Sequence, residues 1–236
     1  MKLRENICAA GMVLIFAGSA LAALTQEEIN QLGTTLTPIG AEKAGNKDGT
    51  IPEYTGGLTT PPPNFKKGSG IRPNPFASEK PLFTINAKNM SQYADKLTEG
   101  VKALMKKYPD YRIDVFKTHR TAAFPKFVYD NTKKCAGKAT LSADGLSISN
   151  ADACYPFPIP KSGAEAMRNH LLRYLTTEHA ISETYSVNAN GRATLSTVAD
   201  IQIEYPYWDP NAKDKTFFQT IHSLFTDPPR RNGEIY

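Results

Sequence analysis

RATLSTVADIQIEY, residues 192–205, sets Ala193, Leu195, Thr197, Ala199, Ile201, Ile203 and Tyr205 at alternate positions, with Arg192, Thr194, Ser196, Asp200, Gln202 and Glu204 between them. That period of two marks a strand with one apolar face, and at about 3.3 Å per residue it runs ~45 Å. So long a strand predicts a broad, curved antiparallel sheet. Asn190-Gly191 just upstream marks a hairpin, and the loop length decides which side chains align. A two-residue turn sets Tyr185 and Val187 against Ser196 and Thr194 and wastes both apolar sets. A three-residue loop, Ala189-Asn190-Gly191, with Gly191 left-handed, sets Tyr185 against Leu195, Val187 against Ala193 and Ile181 against Ala199. The longer loop is therefore expected. Residues 215–226 carry Phe217, Phe218, Ile221, Leu224 and Phe225 at helix-compatible spacing, but their threonine and aromatic content favours a strand. Glu234-Ile235-Tyr236 reads as the beginning of another.

Helices precede this sheet. Thr25 and Glu28 have capping-box spacing ahead of a short helix that Gly33 stops. Met90, Tyr93, Ala94, Leu97, Val101, Leu104 and Met105 form one stripe of a single long helix ended by Pro109. Tyr111, Ile113 and Val115 alternate as a strand. A helix starting near Pro125 presents Phe124, Phe127, Val128, Thr132 and Cys135, and Asp144-Gly145 turns a small hairpin between 139–142 and 146–149. Ser162 and Glu165 open a further helix with Ala164, Met167, Leu171 and Tyr174 as its apolar stripe. Residues 33–81 are dense in glycine and proline yet hold spaced apolar anchors, which leaves two readings, an extended arm over the body or a mobile tail.

At the N-terminus, Lys2 and Arg4 precede an apolar run from Ile7 to Ala17 and the small-x-small pattern Ala20-Leu21-Ala22. This is the layout of an export signal cleaved after Ala22, and the run is too short for a transmembrane helix. The expected organisation is 1–22 signal, 23–81 arm with one short helix, and 82–236 an α+β domain. Cys8 lies inside the signal, too far from the cleavage site for a lipoprotein, so the expected location is soluble in the periplasm. Cys135 and Cys154 remain as an even pair in an oxidising compartment. A disulfide between them closes a loop of about 20 residues and stabilises by roughly 3 kcal/mol in the chain-entropy picture; C-x-x-C spacing, the usual mark of a redox pair, is missing.

The chain has 28 Lys and Arg against 23 Asp and Glu; without Lys2, Arg4 and Glu5 of the signal the net charge is +4. The cations are dispersed, and a nucleic-acid partner, which needs a basic stripe, is not expected. His119, His170, His179 and His222 show no metal-ligand spacing. There is no nucleophile elbow, phosphate loop or dinucleotide fingerprint. No catalytic residue, metal or cofactor is therefore assigned. His119-Arg120 after a strand offers a rim contact for an anionic head group or, more plainly, a surface turn, and Tyr205, Tyr207 and Trp208 form either a ligand rim or packing beneath a turn.

Three segments, LTPIGAEKAGNKDGTIPEYTGGL from Leu36, PFASEKPLFTINAKN from Pro75 and PFPIPKSGAEAMRNHLLRY from Pro156, resemble the domain of unknown function 1329 family of exported Gram-negative proteins. Members are described in connection with outer-membrane lipoprotein sorting, because their fold is similar to that of the LolA/LolB carriers. The resemblance implies an incomplete, strongly curved antiparallel half-barrel with helices on its concave side. It also implies a chain truncated at its C-terminus, since members continue with further strands. The expected function is a non-enzymatic periplasmic carrier or chaperone, making transient membrane contact, for a lipid, lipoprotein or acyl chain. Ile181, Tyr185, Val187, Leu195, Ile201, Ile203, Tyr205, Phe217 and Ile221 would line its cavity. The same residues also serve as ordinary core, because both readings need one buried sheet face. The alternative is an accessory subunit that binds envelope transport proteins, and a secreted hydrolase ranks last.

Overall fold

The computed structural model describes residues 23–213, 215 and 218–236. The export signal and its cleavage site, and Phe217 among the expected ligand contacts, lie outside the described residues. Helix α1, Gln26–Asn30, is closed by the expected capping box: the Thr25 hydroxyl accepts from the Glu28 N–H while the Glu28 carboxylate accepts from the Thr25 N–H. Residues 42–58, and further on Phe76 and Glu79, then contact the segment that follows the first sheet. The Leu58 N–H donates to the Thr121 carbonyl at 2.9 Å, the Tyr54 hydroxyl to the Ala122 carbonyl at 2.7 Å, and the Arg120 guanidinium to the carbonyls of Glu42 and Lys43 at 2.6 and 3.0 Å. Gly57 holds a positive φ of 79°, and a Cβ there would collide with the Ala122 carbonyl, so the close approach needs a glycine.

The first sheet pairs β1, Phe83–Asn86, with β2, Arg112–Val115, antiparallel. Only β2 was expected, since Phe83-Thr84-Ile85-Asn86 is too short to show a period. The single helix expected over 90–105 is corrected. A 3-10 segment, Met90–Lys96, gives way at Leu97, whose backbone is extended, and α2, Glu99–Lys107, begins behind Thr98, whose hydroxyl accepts from the Val101 N–H. An N-cap inside an apolar stripe breaks it, because the capped geometry satisfies donors that a continuous helix would use otherwise.

Helix α3, Lys126–Cys135, buries Val128, Thr132 and Cys135 and leaves Phe127 largely exposed. Strands β3, Thr140–Leu141, and β4, Ile148–Ser149, form the small hairpin about Gly145. Helix α4, Gly163–Leu171, starts at Ser162 as expected but turns a different face inward. Met167 and Leu171 are exposed, whereas Glu165 is buried and takes the Lys161 N–H. Asn169 both accepts from and donates to the backbone of Phe157. Fixed polar partners decided the packing, and an apolar stripe cannot register them.

The main sheet runs in the order β5-β6-β7, with β5 Glu178–Val187, β6 Ala193–Glu204 and β7 Thr220–Asp227, all antiparallel. Of the 215–226 region, residues 220–226 are thus strand, and Lys215, Phe218 and Gln219 lie outside it. Beyond β7, the N–H of Tyr236 donates to Ser223 and that of Ser223 to Tyr236, so 233–236 extends the pairing as its spacing suggested. Among the described residues no sheet closes into a barrel. At the foot of the sheet Ile203 of β6 packs against the buried centre to which Val128 of α3 belongs, and Ala199 of β6 is buried.

The core lies at the foot of this sheet. Val128, Ala153, Tyr155, Tyr205, Tyr207 and Trp208 form its buried centre, with Phe124, Leu172, Tyr174, Ile203 and Phe218 packed around them. Three of the polar tips there are hydrogen-bonded: Trp208 Nε1 donates to the carbonyls of Leu172 and Arg173 at 3.1 Å, the Tyr207 hydroxyl donates to the Cys154 carbonyl at 2.8 Å, and the Tyr155 hydroxyl accepts from the Tyr174 N–H at 3.2 Å. Cys135 and Cys154 are bonded, joining the end of α3 to this centre.

Candidate functional site

The hairpin loop between β5 and β6 is the three-residue one. Gly191 has φ 76°, Tyr185 faces Leu195 and Val187 faces Ala193. Further along, the expected partner of Ile181 is corrected from Ala199 to Asp200, because Ser196 is an extra residue between the Tyr185–Leu195 and Thr184–Thr197 pairs. Such a bulge reverses the phase of one strand while its partner keeps alternating. Thr226 does the same on β7.

The bulge redistributes the expected ligand-binding residues. Paired residues share a face, so Ile181, Tyr185, Val187 and Leu195 lie together on one side of the sheet, and Ile201, Ile203 and Ile221 on the other. Tyr205 belongs to the core, at 7 % exposure, against Phe218. The side bearing Ile181, Tyr185, Val187 and Leu195 is open: these four are 62, 52, 68 and 40 % exposed. The register puts polar neighbours on the same side. His179 Nε2 lies 2.8 Å from Asp200 Oδ1, and the Tyr185 hydroxyl donates to Glu183 at 2.7 Å, a bond that raises the phenol above its ordinary value. This surface is an apolar strip with an acidic and imidazole border, suited to holding a chain or surface that is itself apolar.

Among the described residues several concavities lie elsewhere, and three of them border the elements above. One of about 400 Å³ at the foot of β6 is lined by Tyr174, Thr176, Glu204, Tyr205, Trp208 and Asp209. A crevice of about 300 Å³ between residues 37–54 and 119–129 contains Tyr54, Arg120 and Tyr129. The third, about 500 Å³, lies beside α4. His119 and Arg120 are occupied by the N-terminal segment: His119 stacks on Phe76 with ring centres 3.7 Å apart and meets Glu79, while Arg120 holds backbone carbonyls. They make the internal turn contact, not a free anion rim. Among the described residues no three His, Cys, Asp or Glu side chains form a metal-ligating group.

Burial pushes the Tyr207 hydroxyl up to about 12, and burial followed by the neighbouring Tyr129 hydroxyl pushes Tyr54 up to about 12. Both phenols are therefore neutral in the folded chain where an unfolded phenol, near 10.0, already ionises. Their contribution to stability is complete below pH 10.0 and is lost as pH rises toward about 12. In a titration followed by phenolate absorbance, these two should ionise last, and Tyr207→Phe should delete part of that late step. A single step near the ordinary phenol value would contradict the burial assigned to them.

Sequence reasoning missed the splitting of the apolar set, since small polar residues at Ser196 and Thr197 carry no visible sign of an insertion. It found the hairpin loop because Gly191 had a geometrical reason to be there.

Comparison with known proteins places these features in one family. Residues 84–236 match the family model described as protein of unknown function (DUF1329). The uncharacterized protein PA3922 of Pseudomonas aeruginosa is 48 % identical over 161 residues, which cover 68 % of this chain and 35 % of that protein. The chain thus spans about a third of the length of the curated relative it matches. No solved structure matches. With its first sheet, disulfide, α4 and open β5–β7 sheet all inside or adjoining the matched region, the chain belongs to the DUF1329 family of proteins of unknown function.

Proposed function

We propose that this chain is part of a periplasmic carrier or chaperone that holds a lipid, a lipoprotein or another acyl-bearing ligand on the open face of β5–β7. The reading rests on one observation above others: Ile181, Tyr185, Val187 and Leu195 share a sheet face and remain largely exposed. Folded chains rarely leave such side chains contiguous and uncovered without a binding partner. Each methylene of an acyl chain that leaves water there contributes about 0.8 kcal/mol, less the cost of association. The N-terminal export pattern suits the location, and the open antiparallel sheet is compatible with a LolA/LolB-like half-barrel to which this chain contributes. The proposed action is binding and transfer, with no catalytic step.

An accessory subunit for an envelope transport complex is favoured by a separate observation: among the described residues β5 pairs only with β6, so its outer edge offers backbone groups to an added strand. Solvent extracts of natively purified protein separate the two by mass spectrometry. The carrier reading expects lipid in the extract and its loss in Val187→Asp. Repeated absence of lipid from the chain and from a full-length relative would refute it, and recovery of one stoichiometric protein instead would establish the accessory reading.

A further inference from the structure

The third concavity differs from the sheet face in having built-in charge. Its floor and walls come from α4, the β3–β4 hairpin and the segment after Trp208, and its apolar surface is supplied by Leu146, Ile148, Leu171, Leu172, Tyr207 and Phe218. Two cations, Arg168 and Lys215, complete the lining, and among the described residues no carboxylate belongs to it. Arg168 is half-buried and directs Nε at 2.8 Å, together with Nη2, to the Gly145 carbonyl, a neutral partner that leaves its charge uncompensated by direct contact. Asp144 nearby, its carboxyl held below the usual range by the Ser142 hydroxyl, the Leu146 N–H and, less, the Arg168 charge, is a partial counter-charge that makes no direct contact with Arg168. Lys215 is paired with Asp152 at 2.8 Å, but the Asp152 side chain is 69 % exposed, so this is a weak surface pair that a better-placed anion can replace.

An apolar groove lined by two cations fits a ligand with an anionic head and an apolar tail. We propose that this groove binds a single-chain anionic amphiphile, its carboxylate or phosphate between Arg168 and Lys215 and its alkyl chain along Leu171, Leu172, Tyr207 and Phe218. The volume of about 500 Å³ falls within the usual span for small-molecule sites, roughly 300–1,000 Å³. Leu146 and Leu171, both exposed, stand where such a chain would leave water. The site is separate from the β5–β7 face and does not depend on the carrier reading.

Calorimetric titration of the purified full chain tests it, using dodecanoate, dodecyl phosphate, dodecanol and dodecyltrimethylammonium below their micelle concentrations. The anions should bind at least about tenfold more tightly than dodecanol, the scale of a charge-assisted hydrogen bond, and the cationic probe more weakly than dodecanol. Comparison of the two anions identifies the head group preferred. Lys215→Gln and Arg168→Gln should each reduce the anion preference and leave dodecanol unchanged, with Arg168→Lys recovering part of it. Leu171→Asp should weaken all probes, and Val187→Asp on the sheet should weaken none. Equal affinity for anionic and neutral heads, no binding of any probe, or loss of binding through Val187→Asp instead of Leu171→Asp would overturn the assignment. Should Arg168→Gln disturb the hairpin through Gly145, Lys215→Gln, on an exposed pair, still decides it.

Discussion

Trp208→Ala is expected to lower the unfolding free energy by about 3–5 kcal/mol, the range for removing a large buried aromatic. Trp208 is 3 % exposed and meets Tyr155, Tyr174 and Tyr207 in tilted or edge-on contacts with ring centres 5.2–5.8 Å apart. Those three rings come from different parts of the chain, so the cavity left by the indole cannot be closed by moving one of them. The indole N–H also satisfies the carbonyls of Leu172 and Arg173 where α4 ends. Trp208→Phe keeps much of the packing and drops only that bond, and should cost about 1–2 kcal/mol. As this is the only tryptophan, circular dichroism and not its emission must follow urea unfolding of the variants. A loss below about 1.5 kcal/mol for the alanine variant would mean that the aromatic centre does not hold α4 to the foot of the sheet.

Where turn chemistry or a cap specified a conformation, local sequence was sufficient. Gly191 selected the hairpin loop and Thr25 with Glu28 selected the start of α1, because each solves a backbone problem within four residues. The errors arose where polar groups decided the packing or the break, and the spacing of apolar residues carries no trace of them. Glu165 and Asn169 read as the solvent side of α4, yet their hydrogen bonds to residues 157 and 161 turn that side inward. Thr98 lay within a convincing apolar stripe and still began a new helix. The candidate site suffered most from this: alternation along 192–205 was correct as strand but not as a face, since one unpaired residue at Ser196 moved Leu195 to the side opposite Ile201 and Ile203. Nor could alternation reveal that the face holding Tyr185 and Val187 would stay uncovered, a property of what packs nearby and not of the strand.

Replacing Cys135 and Cys154 together by alanine is expected to cost about 3 kcal/mol, close to the effect of opening a 15- to 20-residue loop in the unfolded chain. The bond spans 19 positions and encloses β3 and β4, a hairpin with only two residues in each strand, which has little cohesion of its own. What holds the loop's far end is a set of contacts next to the sulfurs: the Tyr155 N–H donates to Thr132 Oγ1 at 3.1 Å, Asn131 Nδ2 to the Ala153 carbonyl at 3.3 Å, and the Tyr207 hydroxyl to the Cys154 carbonyl. These survive the double substitution, so the folded chain should keep its circular dichroism while its urea midpoint falls. Alanine is the suitable replacement because Cys154 is fully buried and a serine would bring a hydroxyl into the centre. Reduction of the unaltered chain should reproduce most of the loss, and Tyr207→Phe in the reduced chain should add to it by about 1–3 kcal/mol through the unpaired Cys154 carbonyl. If oxidised and doubly substituted chains unfold within about 0.5 kcal/mol of each other, the loop was already confined without the bond, and the hydrogen bonds of Thr132, Asn131 and Tyr207 are what tie α3 to the aromatic centre.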